Sequence, residues 1–160
     1  MPYLIDGNNL LFALRRALPD CGRGTLCQLL AALAKEGERI HVVFDGHSPP
    51  GPLARQIATD FVEVTYSERD SADTIIVELI RTNSAPRLLT VVSTDHVIRL
   101  SARRRRCRTI RSEEFADLLV ALRDEPVAVR PAEAGQKFKG LSEDESRQWM
   151  HEFHLDEEEK

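Results

Sequence analysis

Asp6 follows the apolar run Tyr3-Leu4-Ile5, Asp45 follows Val42-Val43-Phe44, Asp70 and Asp73 follow a Val- and Thr-containing run, and Asp95 follows Val91-Val92-Ser93-Thr94. If those runs are parallel strands, their carboxyl ends lie along one edge of a sheet, and the acids that follow them gather there. Carboxylates brought together repel one another unless a cation neutralises them. The hard divalent cations Mg²⁺ and Mn²⁺ prefer carboxylate oxygens and keep waters available for hydrolysis. A second reading treats Asp70, Asp73 and Asp95 separately, as the helix caps and turn residues that aspartate often supplies. Asp6-Gly7-Asn8-Asn9 is less easily explained that way, because two amide side chains beside the acid suit hydrogen bonding to a metal ligand or a substrate.

The elements that would position these acids are visible as patterns. Short Val- and Ile-rich runs at 3–5, 40–44, 61–66, 88–92 and 107–110 read as strands. Between them, Leu26, Leu29, Leu30 and Leu33 form one helical stripe, and Ile75, Ile76, Leu79 and Ile80, with Ala72 nearby, form another. Ser112-Glu113-Glu114 marks the start of a helix over about 112–124, with Phe115, Leu118, Leu119 and Leu122 as its apolar face. Strands alternating with helices specify an α/β domain: a three-layer, Rossmann-like parallel sheet of about five strands with helices on both faces.

Four motifs in register, Asp6-Gly7-Asn8-Asn9, Val43-Phe44-Asp45-Gly46, Ser71-Ala72-Asp73 and Val92-Ser93-Thr94-Asp95, resemble those of NYN domains, the PIN-like ribonucleases, and most closely the YacP-like branch. The similarity runs over residues 3–122, and Gly140-Leu141-Ser142-Glu143-Asp144-Glu145 resembles the C-terminal extension of that branch. The resemblance implies a metal-dependent endoribonuclease, with mRNA cleavage on the ribosome known in the branch. It assigns Asp6, Asp73 and Asp95 to the metal, directly or through water. It also has Asn9 orient Asp6 or the substrate, and Asp45 complete the acidic rim. Asn8, Asp70, Ser93, Thr94 and His96 are secondary candidates. The position of Asn8 is often aromatic in relatives, and that of Asp70 is often Glu.

From Arg99 to Arg111 the chain carries Arg99, Arg103, Arg104, Arg105, Arg106, Arg108 and Arg111 and no acid. Such a run attracts the phosphates of RNA or of a ribosome, although positive charge at a helix C-terminus also complements the dipole without any ligand. His96 at a helix start, His151 and His154 in the tail, and the rigid 47–52 loop are weaker candidates for contact with a substrate or metal.

The 160 residues, 42% hydrophobic and 30% charged, suit one globular body with a tail. The net charge of -4 conceals an asymmetry: residues 141–160 hold eight acids and two bases, which leaves 20 bases and 18 acids in the rest. Pro126, Pro131, Gly135 and Gly140 mark a linker. The expected division is a nuclease domain over 1–125 and a linker with a short acidic helical tail over 126–160. In that tail Ser142 and Glu145 form a capping box, and Trp149, Met150 and Phe153 an apolar stripe. Three cysteines without CxxC spacing do not support a disulfide framework or a structural zinc site. No long apolar segment or leader pattern is present, so the expectation is a cytoplasmic protein without a membrane anchor. GxGxxG and GxxxxGK[ST] are both absent, which removes dinucleotide-binding and P-loop readings. A dehalogenase-type phosphatase needs a second Asp where Asn8 stands. The alternative of another class is a non-catalytic RNA- or ribosome-binding module on the same fold. Retention of all the acids disfavours it, since a surface for polyanions gains from losing them.

Overall fold

A computed structural model describes residues 2–34, 39–50 and 61–124. The tail and linker features assigned to 126–160, and the end of the 47–52 loop, lie outside the described residues. Five strands, β1 (Tyr3–Asp6), β2 (Ile40–Phe44), β3 (Val62–Tyr66), β4 (Thr90–Val92) and β5 (Arg108–Ile110), form one sheet in the order β3-β2-β1-β4-β5. Every pairing is parallel, with Ile5 opposite both Val42 and Val92. The helices are α1 (Gly7–Leu14), α2 (Arg23–Leu33), α3 (Ala72–Thr82), α4 (His96–Arg104) and α5 (Ser112–Asp124), with a 3₁₀ turn at Pro86–Leu88.

Successive side chains of a strand point to opposite faces, and the core divides accordingly. Ile5, Val42, Phe44, Val62 and Val92 pack with Leu10, Leu14, Leu26, Leu30, Phe115 and Leu119 of α1, α2 and α5. Leu4, Val43 and Val91 pack with Ile76, Ile80, Ile98 and Ala102 of α3 and α4. Burial on both faces explains why the strands read as continuous apolar runs rather than alternating ones. The three cysteines are free and buried, with burial pushing the Cys27 thiol up to about 11.

Several details differ from the sequence reading. Helix α1, whose buried face is Leu10, Leu11, Ala13 and Leu14, has no counterpart among the elements expected from the sequence. In α5, Phe115, Ala116 and Leu119 are buried, whereas Leu118 and Leu122 are exposed, so the apolar face is rotated by about one residue. Nor does Ser112 cap α5. It is the first residue of the helix, its buried hydroxyl lacks a partner, and its N–H donates to Thr94 Oγ1 at 3.2 Å.

Gly7 is required by packing. A Cβ there would stand 2.5 Å from Phe44 Cδ1 and 2.8 Å from Val42 Cγ1, closer than real Cβ atoms approach. Gly7→Ala is expected to destabilise the fold by about 1–3 kcal/mol, measured as a lowered urea midpoint at unchanged m. Helix α4 ends in a Schellman motif: Cys107 N–H donates to Ala102 O and Arg106 N–H to Arg103 O, both at 2.9 Å. Arg106 occupies the left-handed position at φ 62°, where a side chain is strained and glycine is not. Arg106→Gly should raise stability by roughly 0.5–1 kcal/mol, the relief of strain outweighing glycine's entropy in the unfolded chain. A lowered melting temperature would contradict this account of the turn.

Candidate active site

The chain lays β1, β2 and β3 side by side and then crosses to β4 on the other flank of β1. The crevice beyond the carboxyl ends of β1 and β4 is therefore the topological switch point, where open α/β sheets bind ligands. Asp6 is the last residue of β1 and Ser93 the first after β4, so both border that crevice.

Asp6 is buried, at 3% exposure, and ionic burial of this kind needs donors. It has three. As the N-cap of α1 its Oδ1 accepts the Asn9 N–H at 3.0 Å, while Oδ2 accepts Asn9 Nδ2 at 2.6 Å and Ser93 Oγ at 3.0 Å. Ser93 Oγ in turn accepts the Asp95 N–H at 3.0 Å. Asp95 caps α4, its Oδ1 accepting the N–H groups of Val97 and Ile98 at 2.8 and 3.0 Å. One hydroxyl thus links the first and fourth strand ends.

Asp45 ties the second strand end to two helices. Its Oδ1 accepts the Ala72 N–H at 2.7 Å and its Oδ2 accepts Asn8 Nδ2 at 2.8 Å. Both oxygens being engaged, Asp45 acts here as a clamp between α1 and the start of α3. Asp73 differs. Ser71 caps α3 by accepting the Thr74 N–H, so the capping explanation does not apply to Asp70 or Asp73. Asp73 accepts no hydrogen bond among the described residues. Partial burial, and then the negative charges of Asp6, Asp95 and Asp45, push its carboxyl above the ordinary 3.8. The charges of Asp6, Asp95 and Asp45 thus reach Asp73.

Among the described residues, no three of His, Cys, Asp and Glu are grouped so as to hold a metal ion. The donor set fits a cation of the Mg²⁺ type all the same. Such an ion takes one or two carboxylates and completes its octahedron with waters and substrate phosphate, needing no all-protein cage. Among the described residues no donor bonds Asp73 or the second oxygen of Asp95, and like-charge crowding favours a cation beside them.

Thr94, Asp70 and His96 are arranged less directly. Thr94 Oγ1 donates to Glu113 Oε2 at 2.7 Å, which holds that carboxyl below its usual range and fastens α5 to β4. Glu113 was missed as a rim acid: it follows β5 on the same sheet edge, but a Ser-Glu-Glu sequence signals only a helix start. Asp70 and His96 are exposed at the starts of α3 and α4.

The arginine run does not stay together. Arg99 lies one turn into α4 and Arg111 follows β5, both toward the acid edge, with Arg111 3.5 Å from Glu113. Arg103, Arg104, Arg105, Arg106 and Arg108 lie at the far end of α4 and the start of β5, on the opposite edge. Arg99 and Arg103 are one helical turn apart, about 6 Å along the axis, so Arg99 lies between the two groups. Arg105 donates there to Asn83 O at 2.8 Å. A cavity of about 590 Å³ on that opposite edge is lined by Tyr3, Arg39, His41, Glu63 and Asn83 and has no part in the acid rim.

Comparison with known proteins bears on the family and the fold. The YacP-like NYN domain family matches the chain over residues 3–156. The crystal structure of Rae1 (YacP) from Bacillus subtilis is similar with a TM-score of 0.59 at 22% identity, covering 77% of this chain and 75% of that one. A point mutant of the same protein gives 0.57 at 22% identity, with 76% of each chain covered. At that identity the likeness is one of fold. No curated protein sequence matches. No described helix is long and apolar enough to cross a membrane.

Proposed function

The chain belongs to the YacP-like NYN domain family, whose domains are generally nucleases, and from that membership and the acid rim we propose that it is a metal-dependent endoribonuclease. The observation that carries the proposal is the Asp73 carboxylate, penalised first by partial burial and then by three other strand-end aspartates, and left without a hydrogen-bond donor among the described residues. Asp6, Asp73 and Asp95 would hold Mg²⁺ or Mn²⁺, in part through water. When bound, the ion lowers the pKa of a water and stabilises charge developing on the phosphate. The chain's own residues supply the setting. Asn9 and Ser93 fix the Asp6 carboxylate by three hydrogen bonds, Asp45 holds α1 and α3 at their spacing, and Asn8 keeps Asp45 in place. We assign this chemistry to residues 1–125 and treat 126–160 as a linker and acidic tail.

Cleavage of mRNA on the ribosome is the setting we propose, in keeping with the YacP-like branch. The basic cluster supports it, because Arg103, Arg104, Arg105, Arg106 and Arg108 are exposed on the sheet edge opposite the acid rim, where a large polyanion could contact them while RNA occupies the crevice. If they bind backbone phosphate, Arg104→Ala with Arg105→Ala should reduce the slope of log K for ribosome binding against log[salt] by about 1–2. An unchanged slope would leave these arginines as a solvated helix end.

The second reading is a binding module without turnover, in which the acids that are not grouped by threes among the described residues hold no ion. Purified full-length protein incubated with RNA and Mg²⁺ or Mn²⁺, with and without translating ribosomes, separates the two. Internal cuts that disappear with EDTA support the nuclease. Intact RNA under every condition, with RNA or ribosomes bound, supports the module.

A further inference from the structure

We propose that the hollow between α1 and α2 is a nucleotide-holding subsite, in which Phe12 stacks on one RNA base and Arg15 and Arg23 receive a backbone phosphate. It rests on the RNA-cleaving reading and adds to it the place where the substrate is gripped. The hollow, about 320 Å³, is lined by Asn8, Leu11, Phe12, Arg15 and Arg23. It adjoins the acid rim, since Asn8 donates to Asp45.

Phe12 is the anomaly in α1. Leu10, Leu11, Ala13 and Leu14 are buried, yet the Phe12 ring is 71% exposed. Asn8 and Phe12 are four residues apart and Arg15 three further on, so all three share one helical face. The two arginines are held in position rather than left loose. Arg23 lies over the rings of Phe44 and Tyr66, 5.1 and 5.5 Å from their centroids, and donates to Asp45 O at 2.9 Å. Arg15 donates through Nε to Cys21 O at 3.1 Å, which directs its remaining N–H groups elsewhere. Among the described residues neither is within ion-pair distance of a carboxylate. An exposed aromatic side chain sharing a hollow with two anchored guanidiniums, neither paired with a carboxylate among the described residues, matches a base and its phosphate. Only an unstacked base offers the face that Phe12 would cover.

The test uses full-length protein carrying Asp6→Asn, so that binding is read without cleavage, and a fluorescein-labelled single-stranded RNA of about 12 nucleotides. Phe12→Ala and Phe12→Leu should each weaken binding roughly tenfold, while Phe12→Trp restores it and gains a fluorescence that RNA quenches. Arg15→Gln should lower the salt slope by about 1. Equal affinity for Phe12→Ala and its parent, equal affinity for the Leu and Trp variants, or no RNA binding by the parent would each overturn the subsite. Cleavage by protein with Asp6 intact is scored separately. If that protein cuts RNA and adding Phe12→Ala leaves KM unchanged, the subsite fails and the nuclease stands. If it cuts nothing, the nuclease fails and the binding series still decides the subsite.

Discussion

Asp6→Asn should lower RNA cleavage by more than about a hundredfold while leaving the fold intact, because loss of a metal-holding carboxylate exceeds the 10–100-fold typical of its supporting partners. Asparagine is as good an N-cap as aspartate, so its amide oxygen can still accept the Asn9 N–H that starts α1. The other side differs, since the new NH₂ faces Asn9 Nδ2 and Ser93 Oγ, both donors to the carboxylate. Rotation of the Asn9 amide offers an oxygen there, which limits the stability loss to about 1–2 kcal/mol. Cleavage within a few fold of the parent, in a variant that melts cooperatively, would remove Asp6 from the mechanism.

Asp73→Asn should abolish cleavage as well but make the apo protein more stable at neutral pH. The Asp73 carboxyl is raised above 3.8 by partial burial and by Asp6, Asp95 and Asp45. The folded state therefore binds this proton more tightly than the unfolded state does. Its contribution to stability is complete below 3.8 and is lost as pH rises through the raised folded value. The variant escapes that loss. Its advantage over the parent should be nil at the acid end, grow as pH climbs from 3.8, and level off above the raised value. Mn²⁺ should stabilise the parent by relieving the same repulsion, by about 2.7 kcal/mol at a hundred times Kd, and should stabilise Asp73→Asn much less. Thermal melts with and without Mn²⁺ across pH check both parts. A variant less stable than the parent at pH 7 would show that the acids do not crowd one another.

How far this site could be read from sequence depends on which residues are considered. The strands are recovered to within one or two positions because both of their faces are buried, which leaves apolar runs such as Val42-Val43-Phe44. The strand ends in turn place Asp6, Asp45, Asp73 and Asp95 on one edge. Helix α1 is not legible because it opens on Gly-Asn-Asn, poor helix formers: Gly7 is fixed by packing against Phe44 and Val42, and Asn8 and Asn9 by bonds to Asp45 and Asp6. The rotation of α5 was not readable either, since periodicity cannot choose between Ala116 and Leu118 without knowing what α1 presents to it. Thr94 and Glu113 are 19 residues apart, and only the adjacency of β4 and β5 makes them partners. The arginine run illustrates the opposite error. Closeness in sequence suggested one patch, but β5 carries Arg111 back to the acid edge while Arg103 to Arg108 stay at the opposite one.

The decisive measurement is anomalous diffraction from a crystal of the full-length protein soaked in Mn²⁺. The account requires a peak at the switch point, within coordinating reach of at least one of Asp6, Asp73 and Asp95 and bridged by water to the others. Manganese bound only elsewhere, with Asp6 and Asp95 keeping their present hydrogen bonds and no metal beside Asp73, would contradict it.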